Sequence, residues 1–213
     1  MNAFAARRGP WFASLGLTER PWLILGSGPE PTVPRELLAA HARVDINNVG
    51  RTAQAMGLGR ADLTIRAKRK SWTEHTALDT HGLLWIHDLP TPLLRAILAF
   101  KPHRHVGTVR PIGKQERDRL VAEVSGVALD GVGAWGKVTN GVAAICMGLA
   151  LGAPRIVVAG MSLSKSGHSY DALGRTRRQV DEDRIVLESL RHRAELWTTE
   201  RDLAAEAGLQ LVT

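Results

Sequence analysis

The run Ser162-Leu163-Ser164-Lys165-Ser166-Gly167-His168-Ser169-Tyr170 gathers hydroxyls, an imidazole and a phenol in one short stretch. Packing needs seldom produce such a cluster. Tyr170 is the single tyrosine of the chain, and a phenol beside a departing phosphate can stabilise its charge without a metal ion. His168 and His192 both fall near expected ligand-side loops. An imidazole titrates close enough to neutrality to take a proton from a hydroxyl, although a surface histidine is the plainer reading of each. Gly26-Ser27-Gly28-Pro29 offers backbone N–H groups of the kind that hold phosphate, or else simply makes a tight turn. A dinucleotide fingerprint would need a third glycine where Pro31 stands, so a standard NAD site is disfavoured. Asn47 and Asn48 could read a base or ribose through paired amides, or could only turn the chain. Thr139, Asn140 and Gly141 open an apolar helix whose first N–H groups could meet an anion; simple capping is the alternative.

These residues need elements to hold them. Trp22 to Leu25 is a short apolar run before a glycine turn and reads as a first strand. Helix-like Arg35 to His41 and strand-like Arg43 to Ile46 complete one βαβ unit. Arg51 to Met56 then reads as helix, Ala61 to Ile65 and Leu83 to His87 as strands, and Pro92 to Phe100 as helix. His105 to Val109 follows as strand and Lys114 to Val124 as a charged amphipathic helix ending at Ser125-Gly126. Leu129 to Trp135 is irregular, Thr139 to Leu151 a strongly apolar and therefore buried helix, and Arg155 to Gly160 a β-branched strand. A polar loop spans 161 to 175. Val180 to Leu190 and Thr199 to Ala207 read as helices, with Leu209 to Val212 as a closing strand. The alternation predicts one α/β domain over residues 1–213, a Rossmann-like, doubly wound and mostly parallel sheet with ligands at the carboxyl ends of its strands.

Composition narrows the partners. With 213 residues, 44% hydrophobic and 23% charged, the chain has the make-up of an ordinary globular domain. No window reaches the roughly 20 apolar residues of a membrane span, and Pro10, Pro21 and nearby charges break any signal-like stretch, so a cytoplasmic location is expected. Cys146 stands alone, which rules out an internal disulfide and a cysteine-rich zinc cluster. The net charge of +7 fits a nucleic acid, an anionic membrane surface or a small anionic substrate. Its carriers are scattered: Arg66, Lys68, Arg69 and Lys70; Lys101 and Arg104 beside His103 and His105; Arg175, Arg177 and Arg178; Arg191 and Arg193. Half the weight belongs to a merely solvated basic surface.

Residues 137–163, Lys-Val-Thr-Asn-Gly through Ala-Gly-Met-Ser-Leu, resemble the segment of bacterial sialyltransferases that joins a Ser/Thr-Gly helix start to a buried strand, and also the small sialylmotif of animal sialyltransferases. Gly26-Ser27-Gly28-Pro29 is similar to that family's Gly-Asn-Gly-Pro turn. Ile46-Asn47-Asn48 is similar to the segment after its second strand, and Gly167-His168-Ser169-Tyr170 to its phosphate-facing tyrosine segment. The resemblance covers roughly residues 22–60 and 137–213 and implies a sialyltransferase-type sheet. It implies a metal-independent, inverting glycosyltransferase that uses CMP-sialic acid or a similar CMP-linked acid sugar as donor substrate, with no cofactor. A glycan or glycolipid would be the acceptor; the basic clusters leave peripheral membrane contact open, and no specific nucleic acid is expected. By this resemblance Ser27 and Gly28 would meet the phosphate, Asn47 and Asn140 the nucleotide or donor sugar, and Tyr170 the leaving phosphate. Counting back from the closing strand makes His192 the family's catalytic base. Ser27 replaces an asparagine, Lys137 an arginine, and Ser164 stands where a second tyrosine can occur. The competing readings are a pterin-type pyrophosphokinase, whose Asp-x-Asp motif is missing here, and a catalytically silent nucleotide- or nucleic-acid-binding module.

Overall fold

The computed structural model describes residues 2–68, 72, 78–101, 104–170 and 178–212. The basic residues Arg69, Lys70, Arg175 and Arg177, together with His103, lie outside that set. The chain builds one sheet of eight strands in the order β5-β4-β3-β2-β1-β6-β7-β8. All seven pairings are parallel. The strands are β1 (Trp22–Leu25), β2 (Ala42–Ile46), β3 (Ala61–Ala67), β4 (Asp79–Ile86), β5 (His105–Ile112), β6 (Ile156–Ala159), β7 (Leu196–Thr198) and β8 (Gln210–Leu211). The chain walks outward from β1 to β5, then returns to the other side of β1 with β6. The winding direction therefore reverses between β1 and β6, and the connections leaving their carboxyl ends part to opposite faces of the sheet. This is the doubly wound α/β sheet expected from the alternation.

Two elements were not legible in the sequence. Residues 3–14 form a helix, α1 (Ala3–Ser14), in spite of Pro10. Its Asn2 cap accepts from Ala5 N at 2.7 Å, and buried Phe12 stacks on Trp22 with centroids 6.0 Å apart. The aromatic packing outweighs the one hydrogen bond that proline forfeits. The other is β7, a three-residue strand directly after the turn that ends α7 (Val180–Leu190). Pro111 lies inside β5 and is tolerated because β5 is an edge strand.

Helices α5 (Lys114–Ser125) and α6 (Asn140–Ala150) pack with α7 and α8 (Arg201–Ala207) on one face, in the large cluster that includes Trp22, Ile24 and Val158. Helices α2 (Arg35–Ala40) and α3 (Gly50–Ala55) cover Leu23, Leu25 and Val157 on the other. Helix α4 (Thr91–Ala99) packs Leu94 near β4 and β5. Every residue of α6 from Asn140 to Leu149 is buried, as its unbroken apolar run requires. No helix among the described residues is long and apolar enough to cross a membrane.

Buried His41 closes α2. Its Nδ1–H donates to Leu37 O at 2.9 Å, while Nε2 has no hydrogen-bond partner among the described residues. Protonation would put a second, unsatisfied N–H into the interior. Burial pushes the pKa below its ordinary 6.5, the Leu37 bond offsets part of this, and Arg155 and Arg20 push it further down. The unfolded chain then binds more protons than the folded one below pH 6.5, so stability should fall as the pH drops from there. Urea melts between pH 7 and about pH 5 should show a shallower slope for His41→Gln than for the wild type; equal slopes would discard the assignment.

Candidate functional site

The reversal point of the sheet is built on glycine. Gly26 N donates to Ala159 O at 2.8 Å and Gly28 N to Gly160 O at 2.6 Å. A Cβ at position 26 would lie 2.5 Å from Gly160 O, and one at 160, where φ is +64°, would lie 2.6 Å from Gly26 O. The two loops thus touch backbone to backbone, which no other residue type permits. Glu200 fastens the junction from behind: its carboxylate accepts from Gly160 N at 2.8 Å and Thr32 N at 2.9 Å. This corrects the phosphate-cradle reading of Gly26-Ser27-Gly28. The amides of Gly26 and Gly28 are spent inside the protein, and α2 begins only at Arg35. Gly28 serves the site as a thin wall rather than as a donor.

Beyond this junction opens a cleft of about 600 Å³ at the carboxyl ends of the strands. It is lined among others by Ser27, Asn47, Thr139, Asn140, Gly141 and His168. Asn47 takes φ +57°, a conformation that Asn tolerates better than most residues. Its Oδ1 accepts from Ala67 N and from Asn140 Nδ2, both at 3.0 Å. Arg117 Nη1 in turn donates to Asn140 Oδ1 at 3.4 Å. A chain of polar side chains thereby crosses the cleft floor from α5 through α6 to β2, each member orienting the next. Asn47 and Asn140 are brought together as expected.

Other expected residues are placed differently. Asn48 is fully buried, does not line the cleft and accepts from Arg66; it anchors that arginine rather than reading a ligand. Thr139 lines the cleft but spends its groups on structure, donating N–H and Oγ1–H to Asp183 at 2.7 and 2.8 Å and capping Val142 N. Capping is therefore its observed role. At Gly141 a Cβ would meet Met161 Sδ at 2.8 Å, so this glycine lets Met161 cross to α6. Tyr170 is not on the cleft wall: its ring stacks on that of His168, centroids 5.1 Å apart and planes nearly parallel. His192 is exposed in the turn after α7 that leads into the amino end of β7. In a parallel sheet that rim is opposite the carboxyl-end cleft, so the structure separates His192 from every other candidate.

His168 does line the cleft, and its Nδ1 lies 3.0 Å from Ser27 Oγ. The loop is held by Ser169, which donates its N–H to Ser27 O at 3.0 Å and shares a hydroxyl hydrogen bond of 2.7 Å with Thr52. Ser162 Oγ caps the start of the same loop by accepting from Ser164 N and Lys165 N, and donates to Asp202 at 2.6 Å. Burial pushes the Asp202 carboxyl up, but the Ser162 bond and Lys165, 3.5 Å away, hold it below the usual carboxylate range.

The electrostatics were the least legible part. Lys68, Lys114, Arg117, Lys137, Lys165 and Arg178 line the cleft, and no carboxylate among the described residues does. Lys165 pairs with Asp202 and Arg117 with Asp118; the other four have no ion pair among the described residues. A low-dielectric crevice walled by one sign of charge concentrates anions. Trp135 stands 44% exposed at its edge. Of these residues only Lys137 and Lys165 belonged to segments read as site-forming, because the rest sit in helices and loops whose charges look merely solvated. No group of three or more His, Cys, Asp or Glu among the described residues could hold a metal.

A parallel, doubly wound sheet with a basic crevice at its reversal point defines an α/β protein whose strand-end cleft carries positive charge. No family model matches the chain, and no curated protein matches it in sequence. Solved structures do match. The sialyltransferase CstII from Campylobacter jejuni in complex with cytidine-5′-monophosphate is similar at TM-score 0.55 and 14% identity, over 91% of this chain and 85% of that one. The same enzyme with the substrate analogue CMP-3FNeuAc gives 0.51 and 13%, over 91% and 86%. The monofunctional alpha-2,3-sialyltransferase Cst-I from that organism gives 0.50 and 14%, over 91% and 81%. The likeness is one of fold, and it bears out the sialyltransferase-type sheet.

The glycine junction makes a quantitative expectation. Gly152 also has positive φ, +74°, but a Cβ there meets nothing. Gly152→Ala should cost about 1 kcal/mol from backbone strain alone, whereas Gly160→Ala adds a backbone collision and should cost at least about 2 kcal/mol more. Denaturant melts of the two variants measure the difference; equal losses would mean the junction yields.

Proposed function

We propose that this protein transfers an acidic sugar from a CMP-linked donor to a hydroxyl of a glycan or glycolipid acceptor. The observation that carries the reading is the cleft walled by six cations, with no carboxylate among the described residues that line it, at the reversal point of the sheet, in a fold shared with proteins solved with CMP and CMP-3FNeuAc. The donor brings negative charge on its phosphodiester and its sugar carboxylate. The cleft supplies Lys68, Lys114 and Arg117 beside the oriented amides of Asn47 and Asn140. Cations of the chain would then neutralise the leaving phosphate, which supports a metal-independent reaction. A magnesium-dependent pyrophosphokinase instead wants carboxylates near its phosphates to hold the metal, and none of the described residues lining this cleft is one.

The base in this reading is His168. Arg117 and Asn140 belong to the α5–α6 face of the sheet, whereas the His168 loop is tied to α3 on the opposite face. An inverting displacement needs this opposition: acceptor on one side of the anomeric carbon, departing phosphate on the other. With Nδ1–H donated to Ser27 Oγ, the lone pair of His168 Nε2 takes the acceptor's hydroxyl proton. The acceptor oxygen bonds to the anomeric carbon as the bond to the phosphate oxygen breaks, and CMP leaves with that electron pair. Tyr170 acts through its stack on the imidazole and is a positioning residue.

Two expected outcomes test this. In thermal-shift measurements CMP and CTP should raise the melting temperature more than ADP or NAD; protection by NAD equal to that by CMP would overturn the reading. His168→Ala should lower transfer turnover by about 10²- to 10⁴-fold with CMP binding retained, while His192→Ala should leave turnover within about twofold. Turnover should also survive chelation; loss on chelation and recovery with magnesium would reject the metal-independent scheme.

A further inference from the structure

The cleft holds more positive charge than a CMP-linked acid sugar uses, and the surplus is grouped. Trp135, Lys137 and Arg178 meet at one edge: Lys137 Nζ lies 5.2 Å and Arg178 Cζ 5.8 Å from the Trp135 ring centroid. All three line the cleft. Neither cation has an ion-pair partner among the described residues. An indole with two cations gathered on it, neither of them ion-paired among the described residues, is an anion site with an apolar floor.

The edge is also fixed in place from beneath. Buried Glu182 accepts from Trp135 N at 2.7 Å and Gly136 N at 3.1 Å. It presses so closely on the loop that a Cβ at Gly133, φ +57°, would lie 2.5 Å from its carboxylate. Gln179 Nε2 donates to Lys137 O at 3.0 Å and Val138 O at 2.9 Å, so the segments carrying Lys137 and Arg178 are tied to each other. A rim held at both ends loses little freedom when a ligand arrives. A half-exposed tryptophan so held is better explained by a ligand than by packing, since its ring contributes little to the core.

Resting on the transfer reading above, we infer that Trp135, Lys137 and Arg178 form an acceptor subsite selective for a saccharide bearing an anionic group, a carboxylate or a phosphate. The sugar face lies on the indole, and Lys137 and Arg178 take the anion through charge-assisted hydrogen bonds. The donor's own charges fall to Lys68, Lys114 and Arg117.

The test uses the full chain saturated with CMP and three probes that differ only in the anionic group: glucose, glucuronate and glucose 6-phosphate. Ligand-observed NMR titrations should show at least one acidic sugar binding about tenfold or more tighter than glucose; whichever it is names the anion. Lys137→Gln and Arg178→Gln, singly and together, should erase the preference, and Trp135→Ala should weaken all three sugars. Each variant's loss for the acidic sugar should exceed its loss for CMP by at least about fivefold, with melting temperature confirming the fold. Equal binding of glucose and both acidic sugars overturns the subsite. So does a parallel loss of CMP in the Lys137 and Arg178 variants, which would give those cations to the donor. Failure of CMP to bind the wild type would sink the transfer reading itself and the subsite with it, an outcome distinct from CMP binding without acidic preference.

Discussion

The backbone contact between Gly26 and Gly160 sets the geometry of everything around it. Two adjacent parallel strands end there, and their continuations must separate to opposite faces without leaving a gap. Because neither position carries a Cβ, the carbonyl oxygen of each residue can come within 2.5 to 2.6 Å of where the other's side chain would begin. The same closeness steers Met161, whose Cγ would clash with a Cβ at 26 and whose Sδ would clash with one at 141. Met161 therefore bridges the β1 turn and the first turn of α6. That bridge puts Asn140 where its amide reaches Asn47. From two missing methyl groups follows the position of the polar floor.

Charge is sorted by depth. Glu182, Asp183 and Glu200 are buried acids that accept N–H groups from loops and helix starts. Burying a carboxylate is expensive unless donors meet it, and each of these meets at least two. They act as clamps placed behind the cleft wall, while the lysines and arginines of the same region face the opening. The net charge of +7 is thus not a diffuse property alone. Part of it is focused into one crevice, which the scattered basic clusters of the sequence did not reveal.

Much of the sheet was readable because buried parallel strands announce themselves as short apolar runs ended by glycine or asparagine, as at Trp22–Leu25 and Ile156–Ala159. The apolar α6 was readable for a related reason, whereas the grouping of Asn47 with Asn140 came only from the resemblance to sialyltransferases. What escaped is instructive. Lys68, Lys114, Arg117 and Trp135 all fall between residues 61 and 136, where no motif guided the eye, and only folding brings them beside the strand ends. The expectation for His192 failed through one unrecognised strand. Once β7 is known to begin at Leu196, the turn before it must lie at the amino rim, because every helix of a parallel βα repeat returns the chain to that side. A motif count along the chain cannot register such a reversal; topology can.

The same topology gives the two walls of the cleft different characters. The wall from α5 and α6 is made of regular helix, and Arg117, Asn140 and Asn47 are each fixed by the next. The wall with His168 is a loop, fastened at Ser27, Thr52 and Asp202 but free of regular structure from 161 to 170. The proposed displacement at a sugar carbon asks for this asymmetry. The leaving phosphate does best against donors that need no rearrangement as charge develops. The incoming hydroxyl must be admitted, oriented and then released, a task suited to a segment with fewer constraints. Sheet winding, by sending the α6 start and the β6 loop to opposite faces of one crevice, provides a rigid side and an adjustable side before any reactive residue is chosen.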